Sequence, residues 1–144
     1  EKIFMRIVAD INVLISGLLW LGPSHAILQL AEEHKLTLCL SPSISEELCQ
    51  VLDRPKFSRR IRMCGSSTEE LIAGLYKFAL LFPDKDIPLV VKDDPDDNKI
   101  IACAFTCDAQ YLVTGDPHLL NLKQYGAISI ITPRKFLTIL NHTQ

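Results

Sequence analysis

No stretch of this chain is apolar for long enough to cross a bilayer. Its best run, Leu14-Ile15-Ser16-Gly17-Leu18-Leu19-Trp20-Leu21, is broken by Gly17 and covers well under half of the ~20 residues that a spanning helix needs. The N-terminal apolar stretch is cut by Asp10 and lacks the layout of a signal peptide, so no membrane association and a cytoplasmic location are expected. The five cysteines are an odd number without zinc-finger spacing. Cys103 and Cys107 stand one helical turn apart and Cys39, Cys49 and Cys64 are scattered, which reads as reduced, mostly buried thiols of a cytosolic protein. There is no P-loop and no Gly-x-Gly-x-x-Gly turn, which removes the common nucleotide-binding signatures. No Ser-His-Asp or Cys-His set competes either, because the four histidines are dispersed and only His118 lies near a candidate acid. A formal net charge of −2 excludes overall attraction to nucleic acid and leaves room only for a local basic patch.

What is present is an alternation of strand-like and helix-like segments. The 144 residues, 48% hydrophobic and 22% charged, suit one domain over residues 1–144 with a sizeable core. Met5-Arg6 reads as the natural start and Glu1 to Phe4 as an upstream remnant. Strands are expected at Ile3 to Ala9, Leu36 to Leu40, Leu89 to Val91, Tyr111 to Thr114 and Ile128 to Ile131. Helices are expected at Asn12 to Leu19, from a Ser24 cap to Glu33, and at Ile44 to Leu52 behind a Ser43-Ile44-Ser45-Glu46 capping box. Further helices should cover Ser58 to Met63, Thr68 to Leu81, Asp97 to Cys107, the turn Pro117 to Leu120, and Pro133 to Leu140. Strands alternating with helices predict an α/β fold with a parallel sheet flanked by helices.

Four acids fall where chemistry would use them. Asp10 and Asp116 directly follow apolar runs that read as buried parallel strands, and ligands bind outside the carboxyl ends of such strands. Glu47 occupies the apolar stripe Ile44, Glu47, Leu48, Val51, where a leucine would be expected. Asp97 leads the stripe Asp97, Ile100, Ile101, Ala104, behind Asp94 as helix cap and Pro95 at the first helical position. Asp10, Asp97 and Asp116 each have an ordinary alternative as a cap or turn residue, whereas Glu47 has no such local duty. Converging carboxylates repel one another unless a proton or a cation neutralises them, so a site for Mg²⁺ or Mn²⁺ acting on a phosphodiester is the first reading. Arg54, Lys56, Arg59, Arg60 and Arg62 form the densest basic run, suited to phosphates or to a solvated helix face. Trp20 and Leu21 are expected in a loop, either in the core or on a partner surface.

The segment from Ala9 to Ser16, the Glu46-Glu47-Leu48 step, Asp94-Pro95-Asp96-Asp97-Asn98, and Thr114-Gly115-Asp116 with Leu119-Leu120 together resemble a PIN domain. The likeness is nearest to the bacterial and archaeal VapC-like toxins of toxin–antitoxin pairs and covers nearly the whole chain. It implies a three-layer α/β/α sandwich around a parallel sheet of about five strands, and a metal-dependent ribonuclease. By position, Asp10, Glu47, Asp97 and Asp116 match the family's acidic cluster, with Asn12, Thr114 and Asp94 as supporting polar residues. Ile11 stands where the family usually has threonine, which removes a hydroxyl and no carboxylate. The resemblance also implies RNA as substrate, a cognate antitoxin and a homodimer. The alternative is a catalytically silent PIN fold that binds RNA or protein.

Overall fold

The computed structural model describes residues 5–86 and 95–143, and for residues 95–97 and 143 the backbone alone. The expected strand at Leu89 to Val91 and the Asp94 cap lie outside the described residues. The chain begins with strand β1 (Arg6–Ala9) and runs through helices α1 (Ile11–Leu19) and α2 (Pro23–Glu32) into β2 (Thr37–Leu40). Helices α3 (Pro42–Leu52), α4 (Pro55–Met63) and α5 (Thr68–Tyr76) follow, and then the two-residue strand β3 (Leu80–Leu81). The remainder is α6 (Pro95–Thr106), β4 (Tyr111–Val113), α7 (Pro117–Leu120), β5 (Gln124–Tyr125), β6 (Ile128–Ile131) and α8 (Pro133–Thr143).

Among the described residues six strands form one sheet in the order β3-β2-β1-β4-β6-β5. Every neighbouring pair is parallel except β5 with β6. Successive strand residues face opposite sides of a sheet, yet Ile7, Val8 and Ala9 are all buried, so helices cover both faces. The α/β fold with a mostly parallel central sheet is therefore present, with β5 as an antiparallel edge.

Proline sets many of the helix starts. Six of the eight described helices begin on it, at Pro23, Pro42, Pro55, Pro95, Pro117 and Pro133. Its fixed φ suits the first helical residue, where a missing N–H costs nothing. That rule displaces two of the expected caps. Helix α3 starts at Pro42 behind Ser41, whose hydroxyl accepts the Ile44 N–H at 3.3 Å, so Ser43-Ile44-Ser45-Glu46 is not a capping box. Ser24 lies inside α2, buried, and the cap position belongs to Gly22 at φ 143°, a conformation glycine tolerates. Ser67 caps α5, accepting the Glu70 N–H at 3.1 Å.

The largest departure is at Leu80 and Leu81. Their helical spacing after Thr68 predicts a helix to Leu81, but α5 stops at Tyr76 and the two leucines pair with Cys39 and Leu40 as a parallel edge strand. Helices α1 and α2 meet at 85° with Gly17 at the crossing. A Cβ there would sit 2.6 Å from Leu28 Cδ1 and 2.8 Å from the Ser24 carbonyl oxygen, so only glycine lets the two helices approach this closely. The buried apolar residues make one core, with Phe136, Ile7, Leu14, Leu38 and Ile44 wholly enclosed. At about 1.5–3 kcal/mol for each large side chain, that burial is what offsets the entropy of ordering the chain.

Cysteine follows the expected pattern in part. Cys39, Cys103 and Cys107 are buried free thiols, Cys49 is partly buried, and Cys64 is exposed. Contact with the Cys107 sulfur, reinforced by burial, pushes the Cys39 and Cys103 thiols well above their ordinary pKa. Among the described residues no single helix is long and apolar enough to cross a membrane.

Candidate active site at the ends of β1 and β4

The chain leaves β1 toward β2 on one side, while β4 lies against the other side of β1. Such a reversal point, at the carboxyl ends of β1 and β4, is the place where open α/β sheets bind ligands. Asp10 and Thr114 are the residues that follow the two strands, and the Asp10 N–H donates to the Val113 carbonyl at 3.1 Å. Register alone thus brings together two residues 104 positions apart.

Asp10 is also the N-cap of α1. Its Oδ1 accepts the Val13 N–H at 2.9 Å, and its Oδ2 accepts the hydroxyl of Thr114. The cap is therefore Asp10 itself, while Asn12, one of the expected supporting residues, is exposed in the first turn of α1. Thr114 is wholly buried, and the same hydroxyl oxygen accepts the Asp116 N–H at 2.9 Å. One threonine thus ties the two aspartates together. Asp116 caps α7, accepting the His118 N–H at 2.9 Å behind Pro117. The ordinary role of a cap and the candidate chemical role coincide in both residues.

Asp10 is 6% exposed. Burial pushes its carboxyl above the ordinary value, and the nearby Asp116 charge acts in the same direction. The Thr114 hydroxyl and the Val13 and Asn12 amides pull the other way. No basic side chain contributes to this balance among the described residues. A buried carboxylate beside a second acid, held by three neutral donors, is a hard-oxygen environment with negative charge to spare. Such a donor set suits Mg²⁺ or Mn²⁺ and not a soft metal.

The other predicted acids are placed differently. Glu47 lies on α3, partly buried, in a polar cleft of about 210 Å³ that it shares with Ser43, Gln50, Arg54 and Lys99 of α6. Asp97 is in the first turn of α6, and its side chain lies outside the described residues. Among the described residues no three carboxylates, imidazoles or thiols stand close enough to enclose an ion. The described geometry thus joins Asp10 with Asp116, and Glu47 with the α6 surface.

Of the basic run, Arg54, Lys56 and Arg59 are exposed, and Arg54 borders the Glu47 cleft. Arg60 has a structural engagement, since its Nε donates to the Leu19 carbonyl at 2.7 Å at the C-terminal end of α1. Two residues of this region escape the sequence reading. Lys99 gives no signal beyond its place after Asp97 and Asn98. Asp84 anchors the start of α3, accepting the Ser43 hydroxyl at 2.6 Å and the Ser43 N–H at 3.2 Å, a contact across 41 residues that no local pattern announces.

The chain is 30% identical over 146 aligned positions to the uncharacterized protein MJ1680 of Methanocaldococcus jannaschii, an alignment that covers 95% of this chain and 92% of that protein. The profile of the PIN domain family matches residues 6–118, from the first residue of β1 to just beyond Asp116. The chain belongs to the PIN domain family, a superfamily of nucleases.

Proposed function

We propose that this protein is a Mg²⁺- or Mn²⁺-dependent ribonuclease that hydrolyses phosphodiester bonds at the carboxyl ends of β1 and β4. The observation that carries the reading is the buried Asp10, linked to Asp116 through one threonine hydroxyl at the reversal point of the sheet. Asp10, Asp116, Glu47 and Asp97 would hold the metal. When bound, a divalent ion there neutralises the carboxylates, polarises the phosphoryl oxygens and acidifies a coordinated water.

The chain's own residues contribute orientation and charge. The Val13 amide and the Thr114 hydroxyl fix both oxygens of Asp10, so the carboxylate needs little reorganisation to receive an ion. Asp116 is held by the amide of His118 and by its own N–H on Thr114, which couples the two acids into one unit. Arg54, Lys56 and Arg59 would hold substrate phosphates along α4, with Arg54 nearest the Glu47 cleft. The resemblance to VapC-like proteins extends the proposal to a cytoplasmic toxin with a cognate antitoxin, acting as a homodimer. Growth arrest on induced expression, relieved by the product of an adjacent gene, is its test.

The activity is tested by cleavage of a mixed structured RNA pool with Mg²⁺ or Mn²⁺. Asp10→Asn and Asp97→Asn, both folded, should lose cleavage, as should wild type with chelator. Absence of cleavage by folded wild-type protein with either metal would overturn the assignment.

A further inference from the structure

We propose that Trp20 is a base-stacking platform that makes this protein select unpaired RNA strands. This rests on the ribonuclease reading for its ligand class and adds a site which that reading does not contain. Trp20 is the only tryptophan in the chain, and it is 42% exposed at the C-terminal end of α1. Its ring is not left over from a loose loop. Phe57 meets it edge-on with centroids 6.5 Å apart, and the Arg60 guanidinium lies 5.2 Å from its centroid. Arg60 is in turn anchored to the Leu19 carbonyl, so the cation over the indole is fixed in place. The motif repeats next door, where the Lys56 ammonium stands 5.0 Å from the Phe57 centroid.

The charge around this ring selects the occupant. Residues 54–64 carry Arg54, Lys56, Arg59, Arg60 and Arg62 and no acid, in a chain whose formal net charge is −2. Exposed aromatic rings interleaved with cations are what single-stranded nucleic acid uses, because bases stack on the rings while phosphates meet the charges. A duplex keeps its bases stacked on one another and gains only the phosphate contacts. Helix α1 also fixes the distance to the reacting centre. Asp10 caps one end and Trp20 the other, ten residues or about 15 Å along the axis. That spans about four nucleotides of a stacked strand.

The single tryptophan makes the test direct. Wild-type protein in chelator is titrated with an unstructured 12-nucleotide RNA, with tryptophan emission and the anisotropy of end-labelled RNA followed together. Saturable quenching that tracks binding is expected, with no quenching by the duplex of the same sequence. Trp20→Ala should raise Kd about 5- to 150-fold, the span covered by losing one base–aromatic stack, and Trp20→Phe should restore most of it. RNA binding without quenching, with Kd unchanged in Trp20→Ala, would overturn the inference and leave the ribonuclease reading standing. Emission that instead changes with protein concentration alone, together with a dimer lost in Trp20→Ala, would also overturn it and assign the patch to a second copy of the chain. Quenching and binding without cleavage under either metal would support the platform and refute the activity.

Discussion

Replacing Thr114 with valine removes one hydroxyl from the centre of the site and almost no volume. In the folded protein that oxygen donates to the Asp10 carboxylate and accepts the Asp116 N–H. A hydrogen bond to a charged group contributes about 1.5–3 kcal/mol and a neutral one about 0.5–1.5. Thr114 is fully buried and Asp116 partly so, hence water replaces the lost partners only in part. The expected destabilisation is about 2–4 kcal/mol at neutral pH, a fall in Tm of roughly 6–12 °C. It should also depend on pH. The folded pKa of Asp10 is raised by burial, so its stabilising contribution is complete below the unfolded value of 3.8 and is lost as pH rises through the folded value. The Thr114 hydroxyl opposes that rise, and without it the folded value moves further up and the loss is greater. The deficit of Thr114→Val relative to wild type therefore shrinks as pH falls through the folded value of Asp10, below which its carboxyl is protonated in both proteins. Urea unfolding of the metal-free proteins from pH 4 to 8 measures this, with Thr114→Ser as the variant that should recover most of the loss. A deficit below about 0.5 kcal/mol, or one that is flat with pH, would refute the account of the threonine as the link between the two acids.

Asp10→Asn keeps the helix cap and removes the buried charge, so at pH 7 without metal it should be more stable than wild type. That advantage should disappear below the unfolded value of 3.8, while cleavage falls at least about 100-fold; urea melts across pH and RNA cleavage check both. Arg60→Ala should cost about 1 kcal/mol of stability by losing the Leu19 carbonyl and the packing on Trp20, whereas exposed Arg59→Ala should stay within about 0.5 kcal/mol and flatten the salt dependence of RNA binding. Thermal melts and binding across a salt series separate the two. Gly17→Ala drives a methyl into Leu28 and the Ser24 carbonyl and should destabilise by about 1–3 kcal/mol in denaturant unfolding, despite alanine's better helix propensity.

The strands around the site were legible because they are buried on both sides. Runs such as Ile7 to Ala9 and Tyr111 to Val113 have no polar alternation, and their ends point directly at Asp10 and Thr114. Edge strands carry no such signal. Leu80 and Leu81 are both exposed, two residues long, and made a strand only by the neighbouring backbone of β2. Gln124 and Tyr125 are likewise a strand only because β6 lies beside them. The displaced caps show one local rule overriding another, since Ser41-Pro42 has the same cap-and-proline form as Asp116-Pro117. Within the site, the positions of Asp10 and Asp116 follow from strand ends. The bond that joins them does not, because Thr114 reaches Asp10 only once β4 has docked on β1.

That docking has a temporal side. The two halves of the centre are 104 residues apart, so during synthesis Asp10 emerges long before Thr114 exists to hold it. At about 5–20 residues per second the interval is roughly 5–20 s. Throughout it the growing chain carries the first acid without its partner strand, and Asp10 has neither the Thr114 hydroxyl nor the Val113 carbonyl to meet. This topology withholds the link between the two acids until Thr114 has been added and β4 can dock on β1.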